Sequence, residues 1–139
     1  EVFRKPASPA VADFVGAENV IPGTARGVSA DAGGERIVEF RSKELVLHAV
    51  SDAPDGAVHA VIRAEEIALS PEMRASSVRN QVAARVVELA PAGVITRVTV
   101  DAGGVELVAA ITTRSAEDLK LVPGNEVVAA VKATAVHLC

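Results

Sequence analysis

Two cations and three hydroxyls are distributed over the second half of this sequence in a pattern suited to capturing a small anion. Ser77 and Arg79 belong to the polar segment Ser77-Val78-Arg79-Asn80, just ahead of the apolar alternation that starts at Val82. Arg79 offers a planar fork of donors and a permanent charge, and Ser77 adds a hydroxyl. Thr112 and Ser115 fall where a strand is expected to end and a helix to begin. A helix start leaves backbone N–H groups unpaired and carries partial positive charge. Lys132 lies on the following strand, ahead of Ala133, whose backbone N–H is a further donor. This is the donor set that a tetrahedral dianion needs when no metal is present. Each member also has an ordinary structural reading. Ser77 to Asn80 is a polar turn, Ser115 an N-cap, Lys132 a strand-edge charge, and Thr112 a β-former on a wet face.

Other chemistries find no support. His48, His59 and His137 have no metal-ligand spacing to one another or to Cys139. No serine or cysteine nucleophile sits beside a base, and no Gly-x-x-x-x-Gly-Lys-Ser/Thr phosphate loop is present, so the chain is not expected to be an enzyme. Aromatics make up only 2%, without Trp or Tyr, which removes the stacking platforms of single-strand nucleic-acid binders. A formal charge of −4 argues further against a polyanion partner, so any anion must be captured locally. The lone cysteine excludes an internal disulfide and suits a reducing compartment, and no apolar run approaches the roughly 20 residues of a membrane span.

The elements that must position the donors are strands. In 139 residues with 50% hydrophobic content there is material for one ordinary domain or two very small ones. Residues 1–22 mix charges and prolines around Val11, Phe14 and Val15, at the spacing of one short helical turn, and read as a linker within a longer protein. Strands are expected near 24–30, 35–40, 43–50 and 56–63, with a short return through Ile67 to Leu69. The pattern restarts near 82–90, 94–101, 105–112 and 125–132, with a last strand at 135–138. Asp31-Ala32-Gly33-Gly34 and Pro54-Asp55-Gly56 supply turn chemistry. Ser115 and Asp118 suggest a capping box for a helix found in the second unit alone.

The two units share a strand order. Val61-Ile62-Arg63-Ala64 with Ile67 and Leu69 matches Val131-Lys132-Ala133 with Val136 and Leu138, and Pro54 matches Pro123. Five short strands with glycine turns close into a partly open barrel of the OB type. The expected fold is all-β: two tandem OB-like five-stranded barrels, a degenerate first repeat over 23–70 and a second over 77–139 that carries the one short helix.

Ser77-Val78-Arg79-Asn80, the stretch Leu107 to Ser115, Leu121-Val122-Pro123-Gly124 and Val131 to Val136 together resemble the molbindin-type, or Mop, domain of the TOBE superfamily. The resemblance implies binding of molybdate or tungstate, with no other cofactor. It assigns Ser77 and Arg79 of one subunit, and Thr112, Ser115, Lys132 and the backbone of Ala133 of another, to a site at a homodimer interface. Val11 to Gly16, Glu18 to Gly23 and Val61 to Ile67 are similar to the regulatory region that follows the ATPase domain of importer-type ABC transporters, with Ala64 where that region has proline. The implied parent is a cytoplasmic ATPase subunit docked on a membrane permease, and this chain its regulatory end, restraining import when the oxyanion binds. Two alternatives accompany this reading: a structural dimerisation domain with a vestigial site, and a free-standing molybdate-storage protein.

Overall fold

The first strand is long because it serves two neighbours in turn. In the computed structural model, which describes residues 18–30, 36–73 and 79–139, β1 (Glu18–Ala30) pairs antiparallel with β4 (Gly56–Arg63) through Glu18 to Ala25. It pairs with β2 (Arg36–Ser42) only from Thr24 onward. The sequence pattern places the start of this strand near residue 24, after an entry segment over 1–22. The strand instead runs through Pro22 and Gly23, because the β2 ladder begins beyond Pro22 and its missing N–H interrupts nothing on that side. Gly23 is needed for space. A Cβ there would lie 2.6 Å from the Phe40 ring, which is fully buried. The expected helical turn near Val11 and the turn at Asp31 to Gly34 lie outside the described residues.

β3 (Leu45–Val50) continues the meander, and after β4 a 3₁₀ turn, η1 (Ala64–Glu66), leads to β5 (Ala68–Ser70). The second half repeats the order with β6 (Arg79–Ala92), β7 (Ile95–Ala102), β8 (Val105–Thr112), the helix α1 (Thr113–Asp118), β9 (Glu126–Lys132), the 3₁₀ turn η2 (Ala133–Ala135) and β10 (His137–Leu138). Alternation reads directly in the burial. Val38 and Phe40 on β2, Leu45, Leu47 and Ala49 on β3, and Val98 and Val100 on β7 all point into the core. β9 is instead buried at five successive residues, Val127 to Val131, as a strand covered on both faces must be.

The last strand of each half was expected to complete its own barrel, and this is where the structure departs. The sheets run β10-β4-β1-β2-β3 and β5-β9-β6-β7-β8, so each half completes its sheet with the other's final strand. His137 and Leu138 pair with Val61 and Ala60, while Ala68, Leu69 and Ser70 pair with Ala130, Ala129 and Val128. The cause is turn chemistry. A tight hairpin reversal requires positive φ, but Ala64-Glu65-Glu66 and Ala133-Thr134-Ala135 form 3₁₀ turns whose flanking residues are all extended. Such a turn carries the chain onward, across to the neighbouring barrel. One apolar cluster therefore spans both halves, with Phe40, Leu47 and Ile62 in continuity with Val86, Val100 and Val136.

Two further contacts tie the halves together. The hairpin tips meet where the Glu44 N–H donates to Gly103 O at 2.9 Å and Lys43 Nζ reaches Gly104 O at 3.2 Å. Two asparagines then clamp opposite edges. Asn19 Oδ1 accepts from the Val108 N–H at 2.7 Å, while its Nδ2 donates to Val108 O at 3.0 Å and Ile62 O at 3.2 Å. Asn80 does the same in the other direction, accepting from the His48 N–H at 2.8 Å and donating to His48 O at 2.9 Å and Val131 O at 3.2 Å.

Both long strands bulge, β1 between Gly27 and Ser29 and β6 between Val86 and Glu88, which bends each from one neighbour to the next. At the first bulge Asp55 accepts from the Gly27 N–H at 2.9 Å and is also bonded by Arg36. The Gly27 N–H, and then Arg36, hold the Asp55 carboxyl below the usual carboxylate range. The hydrogen bond from Arg26, at 2.8 Å, does the same chiefly for Glu39. A carboxyl depressed in the folded state stabilises above its unfolded pKa, and that contribution is lost as pH falls through the folded value. Thermal unfolding is therefore expected to change little from pH 7 to about 4 and to weaken below it, and Asp55→Asn, which cannot titrate, is expected to flatten that acid limb.

Candidate functional site

The hydroxyl pair assembles locally, with a shift from the expected cap. Thr112, not Ser115, is the N-cap of α1: it is extended (φ −68°, ψ 147°), and its Oγ1 accepts from the Ser115 N–H at 3.0 Å. The helix begins one residue after β8, so the cap role falls to the last strand residue, and Ser115 takes the third helical position. Asp118 is the last helical residue, too far along for a capping box. Thr112 Oγ1 also donates to Ser115 Oγ at 2.8 Å. Ser115 Oγ therefore accepts locally and keeps its own proton for a ligand, and both residues are solvent-exposed.

Thr113 fixes this pair to the barrel. Its N–H donates to Val94 O at 2.8 Å, its Oγ1 donates to Gly93 O at 2.8 Å, and the buried Thr96 Oγ1 lies 2.9 Å from Thr113 Oγ1. Neither Thr96 nor Thr113 was singled out from the sequence, because a threonine on a strand reads as an ordinary β-former. Beyond α1, Asn125 Oδ1 accepts from the Val122 N–H at 2.8 Å, Gly124 takes φ +98°, and the Val86 N–H donates to Asn125 O at 2.8 Å. These bonds set where β9 starts, and so where Lys132 ends it.

Lys132 is exposed at the junction of β9 and η2. The first N–H groups of a 3₁₀ turn have no acceptor within it, and no side chain caps η2, so the Ala133 backbone begins a segment rich in donors. Lys132 lines a cleft of about 520 Å³ together with Arg63, Glu66, Thr134, His137 and Cys139. The strand exchange creates this cleft by laying β10 beside β4. Arg63, the sequence match of Lys132 in the degenerate first repeat, enters it from the first half. The cleft contains neither Thr112 nor Ser115.

Arg79 is the register partner of Lys132 in the first rung of the β6–β9 ladder. The equivalent first rung of the β1–β4 ladder pairs Glu18 with Arg63. The second half thus places two basic residues at register positions where the first places an acid and a base. Ser77 lies outside the described residues. Among the described residues no group of three or more His, Cys, Asp or Glu is placed to hold a metal ion, and no helix is long and apolar enough to cross a membrane.

Residues 76–138, which hold all six candidate donors, match the family model of the TOBE domain. They are a TOBE domain. Beyond it, the whole chain is similar to the molybdate/tungstate import ATP-binding protein WtpC of Pyrococcus abyssi, 35% identical over 138 residues. It is 37% identical over 138 residues to the protein of the same name from Pyrococcus horikoshii. In both cases 99% of this chain is covered, and the chain spans 37% of the relative's length. The TOBE fold is shared with a solved structure of the cytoplasmic molybdate-binding protein ModG, in a form with molybdate bound. That match has a TM-score of 0.73 and 25% identity, and covers 86% of this chain and 94% of ModG. The similarity therefore takes in both halves, and the TOBE domain is one partner in a doubled barrel.

Proposed function

We infer that this chain binds a tetrahedral oxyanion, molybdate or tungstate, and is the regulatory end of an ABC importer ATPase subunit. The observation that carries this reading is the exposed Thr112–Ser115 pair, whose mutual hydrogen bond leaves a hydroxyl proton to donate, within the segment matched to the TOBE family. Similarity to the WtpC proteins along nearly the whole chain supports the transporter context, and the ModG structure supports the ligand class. In this reading Lys132 supplies charge, Thr112, Ser115 and Ser77 supply neutral donors, the Ala133 N–H adds a backbone donor, and Arg79 adds a fork. No bond is made or broken. The ion exchanges its hydration shell for a fixed set of donors.

The donors are divided between two chains: Ser77 and Arg79 of one, and Thr112, Ser115, Lys132 and Ala133 of the other. This division follows the resemblance to the molbindin-type family; within one chain the Lys132 cleft, of about 520 Å³, is far larger than a five-atom ion and holds neither Thr112 nor Ser115. An isologous pair then forms two equivalent sites, one on each side of the dimer axis. In the parent protein, partnered with its membrane permease on the cytoplasmic side, oxyanion binding gathers the two regulatory ends into one arrangement and restrains import.

Such a shared site links ligand to assembly. Molybdate is expected to raise the dimer fraction in dilute solution, and a 100-fold preference for the dimer corresponds to about 2.7 kcal/mol per site. Sedimentation velocity at micromolar protein, with and without sodium molybdate, reads this. A dimer fraction indifferent to saturating molybdate, with calorimetric heat still present, means that each chain binds with its own residues. Absence of heat with both molybdate and tungstate returns the chain to a structural dimerisation role.

A further inference from the structure

The two asparagine clamps have matched geometry but unmatched surroundings. Asn19 and Asn80 each occupy the second rung of a ladder, opposite Ile62 and Val131 respectively, and each donates to that partner's carbonyl at 3.2 Å. Each also reads one residue of an edge strand of the other half as a neighbouring strand would, through its N–H and its carbonyl together. β3 and β8 are the edges concerned. The first rungs differ: beside Asn19 lies Glu18 opposite Arg63, and beside Asn80 lies Arg79 opposite Lys132.

We propose that Asn80 is a positioning residue for the oxyanion sites, holding in place through the first half's β3 the Arg79–Lys132 rung, whose two residues serve the two different sites of the dimer. This rests on the oxyanion reading above. A terminal rung frays unless the rung behind it is pinned, and a fixed arrangement of donors is what separates a tetrahedral site from loosely placed charge. Asn80 pins the second rung at both strands. It is itself bonded to His48 of β3 and it holds Val131, the residue before Lys132. All its amide hydrogens and its oxygen are engaged, so no shorter side chain reproduces the clamp. The first half thereby gains a function without a site of its own: its β3 edge is the anvil on which the second half's cations are set.

Asn19 supplies the control. Its removal deletes the same three bonds, but next to a rung that carries no proposed donor. Its target, Val108, is four ladder positions from Thr112, which is pinned independently through Thr113 to Gly93, Val94 and Thr96. The experiment titrates sodium molybdate calorimetrically into wild type, Asn80→Ala and Asn19→Ala, well below each protein's unfolding temperature, with denaturant stability measured in parallel. The two variants are expected to lose similar stability, while Asn80→Ala binds at least about tenfold more weakly and Asn19→Ala stays within about threefold of wild type. The molybdate-induced shift of the Ala133 amide resonance is expected to persist in Asn19→Ala and to shrink in Asn80→Ala. Should Asn80→Ala not fold, Asn80→Ser and Asn19→Ser are to show the same contrast. Equal affinity losses in both variants would make the clamp purely structural and overturn the proposal, as would unchanged affinity in Asn80→Ala. Wild-type protein that binds neither molybdate nor tungstate overturns the oxyanion reading itself, and the role of Asn80 with it.

Discussion

Lys132→Ala is expected to lower molybdate affinity by about tenfold to 150-fold while leaving the thermal transition nearly unchanged. A charge-assisted hydrogen bond to a dianion contributes roughly 1.5–3 kcal/mol, which converts to that range. The fold is spared because the Lys132 side chain is exposed and its strand is held by backbone pairing to Arg79 and by the burial of Val127 to Val131. Lys132 is the N-cap of η2, but its side chain makes no capping hydrogen bond, so alanine there removes none. The salt response adds a second readout: the variant's residual affinity is expected to fall less steeply with ionic strength, since one of the cations facing the ion is gone. Arg63→Ala is the informative companion. Arg63 lines the same cleft as Lys132 but is none of the six proposed donors, so its removal is expected to leave molybdate affinity within about threefold of wild type. Affinity unchanged in Lys132→Ala would sink the assignment of Lys132 to the ligand.

The largest loss of stability is expected from Gly103→Ala, about 2–4 kcal/mol, or a fall of roughly 10 °C in Tm. Gly103 and Gly104 form the two-residue turn between β7 and β8 with φ of +62° and +88°, the positive-φ pair that a tight hairpin needs. Any L residue at Gly103 meets that backbone cost. It also meets Glu44, because a Cβ there would lie 2.7 Å from the Glu44 carbonyl carbon and the Leu45 nitrogen. Backbone atoms do not move aside as a side-chain end does, and the displaced tip would strain the 2.9 Å hydrogen bond from the Glu44 N–H. Gly104→Ala separates the two contributions. Its Cβ would meet only the Lys43 side chain, at 3.4 Å, so only the dihedral cost should remain. Equal melting temperatures for the two variants would mean that the contact between hairpin tips contributes nothing.

Much of the strand order is local information. Alternation over 43–50 and 94–101 marks residues that must point to one side, and the core receives Leu45, Leu47, Ala49, Val98 and Val100 from them. The match of Arg63-Ala64 to Lys132-Ala133 showed that the two halves are equivalent at these positions, and each pair proves to lead from a strand into a 3₁₀ turn. Asn80 was visible as part of a polar motif, but nothing in the motif says what its amide would hold. Its partners, His48 and Val131, are 32 and 51 residues away.

The tertiary structure alone decided three things. A two- or three-residue strand has too little pattern to name its partner, so the exchange of β5 and β10 came from turns that cannot reverse the chain and from the free edges they meet. The shift of the helix cap from Ser115 to Thr112 turned on a single residue, a boundary that capping propensity does not resolve because both side chains suit the role. The meeting of Arg63 with Lys132 in one cleft required the two halves to pack with β10 laid across β4. Residue types and spacing determined which donors this protein owns and that strands would carry them. Which donors face one another depended on long-range pairing, whose energy comes from burying both halves in one core and is written in no single stretch of the chain.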